Sequence, residues 1–290
     1  MADGIDPLAR RPQWASIRRI PQLWGVAARL EWALTTRSTR TALSWALSDL
    51  VFHVGSVASL LVLASRFSGV GRWTHDEILF LLAFVSLSQA LFGAMFSMNV
   101  GFISRIIGRG QLDHRLLQPI PLWMALFTEG FSPLWAGVQL VPGVVLAALS
   151  FPQLRVALDV VWWLRLAASL LCSVLVQLSF QFIWGSTAFW APRSAEEISS
   201  STMRFVDNLR PFPLDGFGGG FKGLLVTVLP TGLMGWYPAR GLVGAGRSPL
   251  VVLALATTAF MIIATSVFRA GLARMFGVGI GRYSDFGHRQ

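Results

Sequence analysis

Asp49 and His53 lie four residues apart inside a long apolar run, so a helix there puts both on one face. A carboxyl and an imidazole in contact can pass a proton. An Asp at the centre of a membrane helix costs about 2.5–3.5 kcal/mol, so it must face other helices, take up a proton or pair. One reading is a proton relay or a substrate contact. The other is an interhelical hydrogen bond with His53, and it is preferred because a relay needs more than one such group. Glu129 is also embedded in apolar sequence. It sits close enough to the edge of its run to snorkel or to pair with an Arg.

Other chemistry is hard to assemble from this chain. "GGGFKG" at 218–223 lacks the Gly-Lys-Ser/Thr ending of a phosphate loop and follows no strand pattern. "GVGIG" at 277–281 has no strand–helix unit around it. His53, His75, His114 and His288 are scattered, without ligand spacing for a metal. The expectation is a chain with no catalytic, cofactor or metal site of its own.

The elements that carry these residues are set by composition. Hydrophobic residues make up 54% of the 290 and charged ones 13%, against about 25% charged in a soluble domain. Several runs approach or exceed the roughly 20 residues that cross a bilayer as a helix. No alternating pattern of a barrel is present, so the fold class is an all-α integral membrane protein. Net charge is +10, and every basic residue but Lys222 is Arg. In so apolar a chain this points to cytoplasmic loops and anionic lipid rather than nucleic acid. Cys172 stands alone, so no internal disulfide is possible.

Residues 1–40 hold seven Arg and no long apolar core, unlike a signal peptide. From about Pro21, Leu23, Ala27, Leu30 and Leu34 fall at helical spacing, which predicts an amphipathic helix in the membrane interface. Spans are expected at about 41–65, 77–98, 121–149, 160–190 and 249–268, with Pro133 and Pro142 as kinks in the third. The fifth span is open between a hydropathic stretch at 222–243 and a lipid-shielded helix at about 195–210. In the second case, broken helices over 211–243 would dip into the outer face. Trp73, Trp123, Trp162, Trp163 and Trp236 read as interface anchors. Arg counts of seven before residue 41, three in 102–121 and four after 268 place both termini and that middle segment in the cytoplasm. Both termini inside demands an even number of spans, taken as six. The organisation is then a basic segment at 1–40, a transmembrane domain at 41–270 and a tail at 271–290.

The middle segment, "FISRIIGRGQLDHRLLQPIP" at 102–121, has a design of its own. Ile103, Ile106 and Ile107 form one stripe, with Arg105 and Arg109 elsewhere. "GRG" ends that helix. A second short helix has Leu112, Leu116 and Leu117 on one side and Asp113, His114 and Arg115 on the other, and "PIP" stops it. This makes a helical elbow with charge outward, suited to docking another protein.

"GRGQLDHRLLQPIPLW" (108–123) resembles the "R.G.LD..LL.P..PL" stretch of bacterial ABC-2 family transporter permeases. "LRPFPLDGFGGGFKGLLVTVLPTGLMGWYPARGLVG" (209–244) and "FGVGIGRYSDFG" (276–287) are similar, in the same order, to two further stretches of one subgroup, with "PFPL" for "YPL" and Gln111 where Glu is common. The resemblance implies a six-span exporter subunit in a bacterial inner membrane, working with a second permease, identical or related, and two copies of a separate ATPase that binds ATP and Mg. It implies that the elbow is a coupling helix. The residues then expected at the ATPase interface are Arg105, Arg109, Asp113 and Arg115 as polar contacts, with Ile106, Leu112 and Leu116 packing. It also favours 195–210 as span five. A proton-coupled secondary transporter built on Asp49 and His53 would show repeated hydropathy in two halves, which this chain lacks. A membrane scaffold without transport is a third reading.

Overall fold

The structure is a computed structural model that describes residues 18–66, 73–96, 99–244 and 249–278. The described residues are helical, with no strand among them. The amphipathic segment forms α1, Ile20–Arg37, entered with Pro21 in its first turn. After the break at Ser38, α2 runs Thr39–Arg66. Next, α3 (His75–Phe96) opens on a reciprocal cap: the Glu77 side chain accepts the Thr74 N–H at 2.8 Å, and Thr74 Oγ1 accepts the Glu77 N–H at 3.4 Å. A continuous buried run, Ile78 to Val85, shows why α3 carries no polar face: it packs against α2 before it and against several later helices.

The elbow is two six-residue helices, α4 (Ile103–Gly108) and α5 (Gln111–Leu116). They are joined through Gly110 at φ 71°, the left-handed region that a side chain would resist. The expected third span divides into α6 (Leu122–Thr128) and α7 (Pro133–Ser150). The break falls just before Pro133, whose missing N–H is harmless at a helix start, whereas α7 continues through Pro142. The long α8, Val160–Ser186, starts on Asp159, whose carboxylate accepts the Trp162 N–H at 2.8 Å.

The alternatives for span five part clearly. Residues 192–209 form one helix, α9 (Pro192–Leu209). The hydropathic stretch 222–243 is not one helix but falls into α10 (Gly219–Thr227), α11 (Thr231–Met234) and α12 (Trp236–Val243). Pro230 and Gly235 interrupt it, and none of its three pieces, of nine, four and eight residues, is long enough to cross a bilayer core. The last helix, α13, runs Pro249–Val278, longer than the apolar run alone indicates.

Helices α3, α7, α8 and α13 contain segments long and apolar enough to cross a membrane. This is an integral membrane protein. The C-terminal ends of α3, α8 and α13 and the start of α9 gather at the elbow end. The end of α7 and the start of α8 meet at the other, where Phe151 packs on Phe80 and Trp162. There α10–α12 form a cap that dips inward. Ser173, about 20 Å along α8 from its start at 1.5 Å per residue, donates to the Met234 carbonyl.

Candidate functional site

The elbow is fastened by its apolar stripe. Ile103, Ile106, Ile107 and Leu112 are buried together with Leu122, Ala188, Phe189, Ala195 and Leu272, so α4 and α5 rest on the ends of α6, α8, α9 and α13 at once. The approach of α4 to α8 is close enough that a Cβ on Gly185 would collide with the Ile103 side chain. Around this core runs a rim of charge. Arg105 Nε donates to Glu196 Oε1 at 2.6 Å, and Arg109 lies 3.7 Å from the same oxygen. Glu196, in the second turn of α9, was invisible to sequence reasoning because nothing in its neighbourhood ties it to residues ninety positions earlier.

Three expectations for the elbow are corrected. Arg115 does not point outward: its guanidinium donates to Glu129 Oε2 at 3.0 Å and to Asn99 Oδ1 at 2.8 Å, and its side chain is only 15% exposed. Gln118 donates to the other Glu129 oxygen at 2.8 Å, and Asn99 in turn donates to the Leu126 carbonyl at 3.4 Å. Glu129 thus sits in the break between α6 and α7 as the anchor of α5. Second, Ile106 and Leu112, expected on the docking face, are fully buried inside this chain and Leu116 is half-buried, so all three fasten the elbow to the bundle. Third, Leu117 does not share their side: it is 83% exposed, because α5 has already ended when the chain turns toward Pro119. Phe102 is 46% exposed with the Arg105 guanidinium over its ring at 5.1 Å. The outward surface is therefore Phe102, Arg105, Arg109, His114 and Leu117, with Asp113 half-buried beside it.

A family model described as ABC-2 family transporter protein matches residues 50–279. The chain belongs to the ABC-2 transporter family. Searches of curated proteins and of solved structures give no match. As an ABC-2 permease it is the membrane component of an ABC transporter, and the family implies an ABC ATPase as partner.

In this permease the two acids Asp49 and Glu129 have separate surroundings. Asp49 is half-buried on α2, and the side chain of His53 lies outside the described residues. Glu129 is committed to Arg115 and Gln118. Among the described residues no group of His, Cys, Asp and Glu could hold a metal ion.

Sequence reasoning also missed the cap's organising residue, Asp215. Its Oδ2 accepts the indole N–H of Trp73 at 2.6 Å and of Trp236 at 2.8 Å, and Oδ1 meets Arg240 at 3.1 Å and Lys222 at 3.5 Å. Lys222 also sits over the Trp236 ring, 4.3 Å from its centre. So "GGGFKG" supplies a cation to the cap, and Trp73 and Trp236, expected as interface anchors, are buried donors to a carboxylate. Partial burial would raise the Asp215 carboxyl. The two indole N–H groups and the cations Arg240 and Lys222 outweigh it and hold the group below its ordinary value. The available sign was an acid in a Gly/Pro-rich stretch beside the chain's one Lys.

Finally, α9 shows why its sequence looked too polar. Ala195, Ser199, Val206 and Arg210 face the bundle, where the buried Arg210 donates to Gln177 Oε1 at 3.1 Å and to Asp207 Oδ1 at 2.8 Å. Arg193, Glu197, Ser200, Ser201, Arg204 and Asn208 form one exposed stripe along its length.

Proposed function

We propose that this permease is the membrane half of an ATP-driven exporter in a bacterial inner membrane, paired with a second permease, identical or related. Two copies of a separate ATPase bind ATP and Mg on the cytoplasmic side. The observation that carries the reading is the elbow. A charged and aromatic surface (Phe102, Arg105, Arg109, Leu117) stands outward on a buried apolar stripe that touches four helices. A push on that surface moves the ends of α6, α8, α9 and α13 as one body, because packed apolar cores transmit strain rather than absorb it. The Arg distribution supports a cytoplasmic elbow and cytoplasmic termini.

The stripe on α9 supports a route for substrate. At about 27 Å this helix is close to the bilayer core in length, yet its exposed face carries Arg193, Glu197 and Arg204 with hydroxyl and amide groups, next to the exposed Ile198 and Phe205. Such a face cannot lie against lipid tails. It suits the wall of a path between two permeases, making α9 the fifth of six spans, α6 and α7 together counting as the third.

The test is copurification in mild detergent with the ATPase, and stimulation of its hydrolysis. Charge reversal at Arg109 and Asp113 together, or Leu117→Asp alone, removes both while the permease keeps its fold by circular dichroism. Survival of both signals in both variants overturns the elbow as the dock.

A further inference from the structure

The interfacial helix does more than lie beside the bundle. Trp24 stacks on Phe131 with centroids 5.1 Å apart, and its indole donates to the Phe127 carbonyl at 3.3 Å. Glu31 accepts the Leu134 N–H at 3.1 Å and the Ser132 hydroxyl, so a carboxylate from α1 caps the N-terminus of α7. Fixed at these two points, α1 diverges from the start of α2 and leaves a groove of about 610 Å³, within the size range of ligand sites. Val26, Leu30 and Leu34 of α1 and Trp45 of α2 form its walls, and Phe131 and Ser132 lie at its floor. The wall residues are more than half exposed, so this side of α1 and α2 is unfilled by the chain's own described residues.

Charge says what fills it. Arg37 and Arg40 stand at the corner where α1 turns into α2, both exposed and neither in an ion pair among the described residues; Arg29 is exposed further along α1. Thr35, Ser38 and Thr41 line the groove at that same corner, with the Thr35 hydroxyl donating to the Glu31 carbonyl and the Ser38 hydroxyl to Thr41. The two carboxylates at the groove are already engaged, Glu31 by the start of α7 and Glu129 by Arg115 and Gln118. A ligand with an apolar chain and an anionic phosphate matches both halves of this surface. Anionic phospholipid is concentrated in the cytoplasmic leaflet, where the proposed orientation puts α1. We propose that this groove is a site for one anionic phospholipid, its acyl chain between α1 and α2 and its phosphate at the Arg37–Arg40 corner. The proposal rests on that orientation but not on the elbow or the ATPase.

The test uses the full chain, delipidated in detergent and titrated with phosphatidylglycerol or phosphatidylcholine, with bound lipid counted by native mass spectrometry. One phosphatidylglycerol is retained about tenfold more tightly than phosphatidylcholine. Arg37→Glu with Arg40→Glu brings the two to equal affinity, and Ala42→Phe, which fills the groove, weakens both. Equal retention by the unaltered chain, or preference unchanged in the charge variant, marks lipid bound only as general annulus and overturns the site. If Ala42→Phe does not fold, quenching of Trp45 by brominated phosphatidylglycerol replaces it. The quenching is read as the difference between the unaltered chain and Trp45→Phe, and a difference of zero overturns the site. Saturation of the groove by a second copy of the chain, seen as dimer crosslinks between Cys residues placed at 30 and 45, also overturns it. None of these readouts involves the ATPase, so failure of the coupling reading leaves them intact.

Discussion

The elbow and the cap both hold short helices at the end of one bundle, and they do it by opposite means. The elbow rests on buried isoleucines and leucines, with its ion pairs at the rim: Arg105 is 45% exposed where it meets Glu196. The cap is tied through one carboxylate, 10% exposed, that takes four donors from three separate stretches of chain. Exposed pairs contribute little and exchange readily, whereas a nearly buried acceptor that loses its charge strands every donor around it. The elbow can therefore change its polar contacts without leaving its seat, which suits the docking role proposed for it. The cap has no such latitude.

That contrast can be broken at several strengths. The largest effect is expected at Gly185, where Gly185→Leu drives a side chain into Ile103. We expect a loss of about 3 kcal/mol or more, read as a fall in Tm, together with loss of ATPase stimulation. Cys172, the single thiol, gives a dye-labelling readout of unfolding for this and the variants below. Next is Asp215→Ala, at about 2 kcal/mol for the stranded indoles and cations, with ATPase binding retained. A fall no larger than that of Glu196→Gln would erase the distinction between the two ends.

Acid gives a third test. The folded Asp215 carboxyl titrates below its ordinary 3.8, so its contribution is complete above pH 3.8 and is lost as pH falls from there through the lowered value. Unaltered chain should lose Tm over that acid range more steeply than Asp215→Asn. Equal slopes would remove Asp215 as the cause. Arg115→Ala, which deprives a shielded Glu129 of its cation, should cost about 1 kcal/mol. Smallest is Glu196→Gln, within about 0.5 kcal/mol and vanishing in high salt.

Much of the architecture could be read from residue order alone. Runs of apolar residues gave α2, α3, α8 and α13, and the Ile stripe with "GRG" gave the two-part elbow. These features are local, governed by spacing within a turn or two. What escaped depends on contacts across long separations. Glu196 finds Arg105 91 residues earlier, and Asp215 finds Trp73 across 142. No local pattern encodes such pairs. Hydropathy misjudged 222–243 because it sums apolarity and does not feel Pro230 or Gly235 break the backbone. It equally underrated α9, whose burial is one-sided. Arg115 deceived for a subtler reason. It stands three residues after the buried Leu112, so helical spacing puts it on the buried side, and grouping it with Asp113 and His114 followed its charge instead of its register.

The clasp between α1 and the break in the third span also sets a schedule. Trp24 and its acceptor are 103 residues apart, and Glu31 and Ser132 are 101. At ribosomal speeds of roughly 5–20 residues per second, the amino-terminal helix is made some 5–20 s before the segment that secures it. Over that interval α2, α3 and the elbow are made while α1 lacks the contacts that Phe127, Phe131 and Ser132 will supply. The clasp is thus a late contact of the fold, closed only after α2, α3 and the elbow already exist.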